Sequence, residues 1–337
     1  MRASLLPGIL LAAAALTGGC ASVPAPEVAR GQAPATDVKP PAGDWKRAKK
    51  EANGDEKDAN KDEKEGKKDE KKVPPRTLFR WEIGPEVEDQ AEDEPKPITT
   101  DRPDFTEASS TVGLGRVQLE AGYTYTRDRF AGATRVDHSF PEALLRIGLF
   151  ADWFELRLGQ NYHSTRTVFG PPTERLSGPD DFYVGAKLGL AEQRAYLPEL
   201  AVILQATLPT GARSLTTDRV LPGVNFCYGW DVVKELLDAG GVFRASGAVD
   251  GDRHSYVELA QSFAVGYQVT RELRAYGEWY AFYPTGPTAP GTTAQHYFDT
   301  GLAYRVTPDF QLDVRVGWGL SKSADDFFAG AGFSVRY

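Results

Sequence analysis

The chain has 337 residues, a net charge of -8 and a pI near 5.2. That acidity, with no basic stripe, argues against a nucleic-acid partner, and two cysteines cannot build a disulfide framework. A mean hydropathy of -0.40 suggests a soluble protein, but barrel strands dilute their apolar residues with polar ones at every second position, so hydropathy alone does not exclude a membrane.

Residues 1–20, "MRASLLPGILLAAAALTGGC", form a signal peptide: Arg2, an apolar stretch from Leu5 to Leu16, then Gly18-Gly19. Cys20 after two glycines resembles a bacterial lipoprotein cleavage site with a lipid attached to the cysteine, although Thr17 stands where such sites usually carry Leu. Ordinary cleavage near Ala21 or Ala25 is the alternative. Residues 21–97 are Pro/Ala-rich and then densely charged ("KRAKKEANGDEKDANKDEKEGKKDEKK"). Their low hydrophobicity cannot offset chain entropy, which predicts a disordered charged tether. The acidic spacing lacks the order of a calcium loop.

Residues 98–114 contain "ITTDRPDFTE", where Asp101, Asp104 and Glu107 crowd Arg102. With no rigid scaffold around them, these carboxylates do not make an acid–base pair. The expectation is a pre-barrel segment acting as a plug or latch across the periplasmic mouth of a barrel built by the residues after it. Arg102 would meet a lumenal acid, Asp101 or Asp104 a lumenal arginine, and Phe105 would pack on inward aromatics.

From Val117 onward one device recurs: a segment of about ten residues alternating apolar and polar side chains, then a turn. In "VQLEAGYTY", Val117, Leu119, Ala121, Tyr123 and Tyr125 share one face, opposite Gln118, Glu120, Gly122 and Thr124. "PEALLRIGL" opposes its apolar face to Glu142 and Arg146, and "FELRLGQNY" to Glu155 and Arg157. "FYVGAKLGL" and "LAVILQATL" come next, the first with Lys187 on its polar face; "VNFCYGW" and "GGVFRASGAV", with Arg244, are weaker. "YVELAQSFAVGYQV", "LRAYGEWYAFYP", "YFDTGLAYRV", "FQLDVRVGWGL" and "DFFAGAGFSVRY" complete the series. They add Glu258, Arg274, Tyr276, Glu278, Tyr280, Asp299, Arg305, Asp313 and Arg315 to the polar face, along with Tyr183, Tyr256, Phe282, Phe328, Asp326 and Arg336.

About twelve such segments, with tight turns alternating with longer loops such as 164–180, 209–219 and 285–295, predict an all-β antiparallel transmembrane barrel over 115–337. A soluble sandwich also alternates, but the export leader and the final aromatic Tyr337, which resembles the signal read by the outer-membrane assembly machinery, favour the barrel.

The stretches "TTDRPDFTEASSTVGLGRVQLEAGYTY", "ELAVILQATLPTG", "ELAQSFAVGYQVT", "RAYGEWYAFYP" and "DTGLAYRVTPDFQLDVRVGWGL" resemble the outer-membrane transporter family of the phenol-degradation meta pathway, over 98–337. The resemblance implies a barrel of roughly twelve strands and a role in moving small hydrophobic or aromatic compounds.

On this reading the polar face lines a lumen. Its acids and bases are evenly mixed, which suits neither a cation nor an anion filter, and its aromatics offer a partly apolar route. The expected function is passive passage of small solutes through the bacterial outer membrane, with the tether in the periplasm. The partners would be the solute, outer-membrane lipid, the assembly machinery and, through the tether, the cell wall. One alternative is a lipidated envelope anchor with a filled, non-conducting barrel. A second is an outer-membrane lipid hydrolase, with His163-Ser164 and Asn161 or His254-Ser255 as candidates, but adjacent strand residues point to opposite faces. No enzyme, cofactor or metal is expected: four scattered histidines form no ligand set, and no phosphate-binding glycine loop appears. Cys227 is expected to be a small packed residue.

Overall fold

The computed structural model describes residues 75–81, 97–130, 132–170 and 173–337. The leader, Cys20 and most of the tether lie outside the described residues. The strands are β1 (Val117–Phe130), β2 (Ala133–Gly148), β3 (Phe154–Val168), β4 (Thr173–Pro179), β5 (Phe182–Ala191), β6 (Glu199–Leu208), β7 (Leu221–Val233), β8 (Leu237–Val249), β9 (Ser255–Gln268), β10 (Leu273–Thr285), β11 (Gln295–Thr307), β12 (Phe310–Gly319) and β13 (Phe327–Arg336). All neighbours pair antiparallel, and the sheet closes because β1 pairs with both β2 and β13 while β2 also pairs with β3. Among the described residues β4 pairs only with β3, so it stands outside the ring and the other twelve strands form the barrel. Closure removes every long free edge, which a spanning sheet in hydrocarbon requires.

Burial is inverted relative to a soluble protein. Arg146, Arg157, Lys187, Glu120, Glu155 and Glu278 are among the largest fully buried side chains, while Leu204, Phe243, Phe263, Phe298, Leu312 and Val314 are exposed. Apolar residues outside and charges inside suit a hydrocarbon surrounding and a polar lumen. Val117 and Tyr337 exchange backbone hydrogen bonds, so the barrel begins and ends on one rim. Tight turns such as 308–309 lie on that rim, whereas 209–220 and 286–294 loop at the other.

Three local features differ from the sequence expectation. β1 and β2 extend to Phe130 and Ala133, and much of the loop expected at 164–180 is the β3–β4 hairpin. These ends are polar on both faces (Arg127, Asp128, Thr134, Arg135) and a register shift between Phe140 and Ala143 breaks the alternation, so periodicity cannot find them. The weak segments are complete strands, β7 and β8, diluted by Gly240 and Gly241. Finally, within the expected tether, Leu78 and Phe79 donate to the carbonyls of Gly189 and Leu190 (3.0 and 2.8 Å), and the Trp81 indole donates to Pro198 (3.1 Å). This mostly apolar pentapeptide, residues 77–81, satisfies the end of β5 where it outruns β3.

Candidate functional site

The site is the lumen together with the segment that enters it. Ile98 N–H donates to the Pro308 carbonyl (2.7 Å) on one side of the chain-end rim, and Gly115 N–H to Gly148 (3.0 Å) on another. Between them, the chain runs among inward-facing side chains. A strand-less backbone at this depth needs acceptors for its N–H groups, and wall carboxylates supply them. Glu120 accepts from the N–H groups of Asp101 and Arg102 (3.1 Å each to Oε2), Glu278 from Phe105 and Thr106 (2.6 and 2.7 Å), and Glu155 from Val112 (2.9 Å). Lys187 donates to the carbonyl of Ala108 (2.9 Å) and Arg315 to that of Pro103 (3.0 Å).

Side chains add charge-assisted contacts. Asp101 accepts from Arg157 (2.7 Å) and Lys187 (3.4 Å), lies 3.6 Å from Arg146, and also takes the Ala108 N–H (2.8 Å). Burial alone would raise its carboxyl, but Arg146, Lys187 and Arg157 outweigh that and hold it well below the usual range. Arg102 bonds Glu142 (2.7 Å) and Asp313 (3.2 Å), and Glu107 bonds Arg157 (3.0 Å) and Asn225. Gly122 and Gly332 flank the Arg102 guanidinium so closely that a Cβ at either would overlap it. Asp104 forms no ion pair among the described residues; burial, reinforced by nearby Asp299 and opposed by Arg274, pushes its carboxyl up to about 7.

Phe105 enters an aromatic column. It stacks on Tyr280 (4.6 Å, 11°) and meets Phe282 edge-on (5.3 Å, 84°), and Tyr280 stacks in turn on Tyr297 (5.0 Å, 14°). Tyr297 meets Phe328 at 6.2 Å. Tyr280, Phe282, Tyr297 and Phe328 are buried as one apolar cluster within an otherwise charged lumen.

Of the residues singled out from the sequence, Glu120, Glu142, Arg146, Glu155, Arg157, Lys187, Glu278, Asp313 and Arg315 all surround the 98–114 segment. Arg146 bridges Glu120 (3.0 Å) and Glu155 (2.8 Å). The Tyr276 hydroxyl donates to Asp299 (3.3 Å), and Arg274 pairs with Asp238 (2.6 Å). Glu258 accepts from Tyr256 (3.3 Å), and Arg244 lies 4.7 Å over the Phe105 ring. Arg305 sits at the chain-end rim, where its backbone N–H donates to Glu272 (2.8 Å). Asp326, assigned to the polar face, is exposed in the turn before β13, and its neighbour Asp325 instead pairs with Arg135 (2.5 Å). Asn225, Ser262, Gln118, Gln311 and Glu199 also touch the segment or its partners; they share the inward parity of their strands, which was the available signal. The hydrolase candidates do not assemble. His163 lies between Asp137 (2.7 Å) and Asp180 (3.0 Å), the His254 side chain is 69% exposed, and Ser255 takes its hydrogen bond from Arg219. Among the described residues no His/Cys/Asp/Glu group is arranged to hold a metal.

Residues 100–337 match the model of the family described as "Putative MetA-pathway of phenol degradation", and the chain belongs to that family. Among solved structures, the COG4313 outer membrane channel from Pseudomonas putida F1 is similar over 68% of this chain and 98% of its own, at 14% identity and a TM-score of 0.55. The NanC porin is also similar, with 65% and 98% coverage, 11% identity and a TM-score of 0.42. A comparison with curated protein sequences finds no match. What is shared with the Pseudomonas putida F1 channel is the fold.

Proposed function

We propose that this family member is an outer-membrane channel for small hydrophobic or aromatic solutes, closed at rest by residues 98–114 acting as a plug. The observation that carries this reading is the aromatic column. Phe105 of the segment is one ring among Tyr280, Phe282 and Tyr297, so the lumen already accommodates an aromatic group that arrives from outside the strands. Elsewhere the segment is held by polar contacts, which are reversible in water, rather than by an apolar core. The chain-end rim, with its short turns, faces the periplasm, and the tether lies on that side. The leader directs export, and Cys20 carries a lipid that adds a second hold on the membrane.

The dense bonding of the segment gives the anchor reading its support, since a filled barrel need not conduct. Reconstitution of the full chain into planar bilayers and liposomes, with phenols, aromatic acids and alkanes as probes, decides between them. Conductance or uptake of an aromatic probe is the expected result; neither, for any probe, sinks the channel. Deleting residues 25–73, which spares the docked 77–81 stretch, should leave solute flux intact. Loss of envelope integrity with flux unchanged assigns the tether an anchoring role in addition.

A further inference from the structure

Arg244 differs from the other cations around the plug. Arg102, Arg146, Arg157, Lys187 and Arg315 each reach a carboxylate or a carbonyl. Arg244, 8% exposed on β8, makes no hydrogen bond or ion pair among the described residues, and its Nε is buried without an acceptor. Its guanidinium lies instead over the face of Phe105. Two residues along the same face, Ser246 is 2% exposed with an unpaired hydroxyl. Glu258, opposite Ser246 in the ladder, takes its hydrogen bond from Tyr256 and acts on Arg244 only through space, without an ion-pair contact. A buried guanidinium N–H without an acceptor is costly, and so is a buried hydroxyl without a partner. A carboxylate with an attached ring would satisfy both groups and fill the neighbouring aromatic cage.

We propose that Arg244 and Ser246, with the cage that Phe105 now fills, bind a small aromatic carboxylate. The ring takes the place of Phe105 against Tyr280 and Phe282. The guanidinium turns from the ring face to the carboxylate, which also accepts from the Ser246 hydroxyl. The positive charge selects an acid over a neutral phenol or alkane, and the single guanidinium in a narrow aromatic cage suits one carboxylate. Phe105 is thus an internal stand-in for the solute, so ligand binding and plug release compete for one cage and are thermodynamically linked. This inference rests on the channel reading and names its substrate class.

The test is calorimetric titration of the detergent-solubilised full chain with benzoate and with benzyl alcohol, which has the same ring but no charge. A charge-assisted contact implies that benzoate binds about tenfold or more tighter than benzyl alcohol. Arg244→Gln should abolish that preference and Arg244→Lys should keep part of it. Equal binding of the two probes, no benzoate binding, or undiminished benzoate preference in Arg244→Gln overturns the proposal. If Arg244→Gln fails to fold, as judged by heat-modifiable migration, the wild-type comparison and Arg244→Lys decide. Phenol uptake by liposomes is measured alongside: a barrel that passes phenol but shows no benzoate preference refutes this site and leaves the channel standing.

Discussion

Replacing Arg102 by Ala should release the plug. The Arg102 guanidinium joins Glu142 at 2.7 Å and Asp313 at 3.2 Å, with the two acid side chains 15% and 0% exposed. Removing one partner of a buried ion pair costs about 3–5 kcal/mol, because the orphaned charge stays desolvated. The orphans here keep some support: Arg315 lies 4.0 Å from Glu142, and the Ser139 hydroxyl donates to it at 2.9 Å. The low end of the range, about 3 kcal/mol, is therefore appropriate. At about 1.4 kcal/mol per factor of ten, the displaced population rises about a hundredfold. The strands close without Arg102, so the loss falls on docking rather than on the barrel. The assay is a cysteine at position 108, whose wild-type side chain enters none of the plug's hydrogen bonds, in a background lacking Cys20 and Cys227. The rate of modification by a membrane-impermeant maleimide reports displacement, and bilayer recordings report opening. Labelling and conductance that match the parent, in a barrel that remains folded, would refute the reasoning. Arg102→Lys, which keeps the charge but not the two-armed fork, should fall between.

Gly122→Ala should mimic Arg102→Ala without removing any charge, because its Cβ would occupy the guanidinium's slot; combined with Arg102→Ala it should add little, since both act on one contact. Plug docking should weaken with rising pH: docked Asp104 titrates at about 7, whereas in water it would ionise near 3.9, so its contribution is complete below the lower value and lost as pH passes the upper. Labelling at position 108, normalised to a free thiol, should accordingly rise between about pH 5 and pH 8, and a flat profile contradicts it. Asp101, held low by its three cations, contributes in the opposite sense and only under strong acidification. Cys227, 0% exposed among Ala201, Ile203 and Val242, should resist maleimide in the folded barrel and react on unfolding.

Alternation made the barrel legible because a strand between lipid and water-like lumen must alternate. It failed where that constraint lapses. Past Tyr125, β1 and β2 rise beyond the apolar band, and Arg127, Asp128 and Arg135 give no period to read. The parity error at Asp326 has the same origin, since strand geometry begins only at Phe327. The face on which Glu120, Arg146 or Asp313 lies was readable from local parity. Which of them meet was not, because Arg102 reaches Asp313 across 211 positions and only closure of the ring brings β12 beside β1 through β13. Nor did any charge-based pattern point to Gly122 and Gly332, whose contribution is the space a side chain would fill.

The even mixture of lumenal charge, which from the sequence suits neither ion sign, proves to be sorted around the ring. Among the described residues Arg146, Arg157 and Lys187 on β2, β3 and β5 outnumber their ion-paired wall acids Glu120 and Glu155, leaving a positive sector that Asp101 and Glu107 enter. Glu142 and Asp313 share Arg315 with little else, leaving a negative sector that Arg102 enters. The adjacent side chains of Asp101 and Arg102 meet both sectors at once, and neither alone could balance the wall. With the dipeptide withdrawn, the lumen would present opposed charged walls and a bared aromatic column. On the proposed plug reading, charge balance favours the closed state, while the aromatic cage and the Arg244 guanidinium give an incoming solute something to gain by opening it.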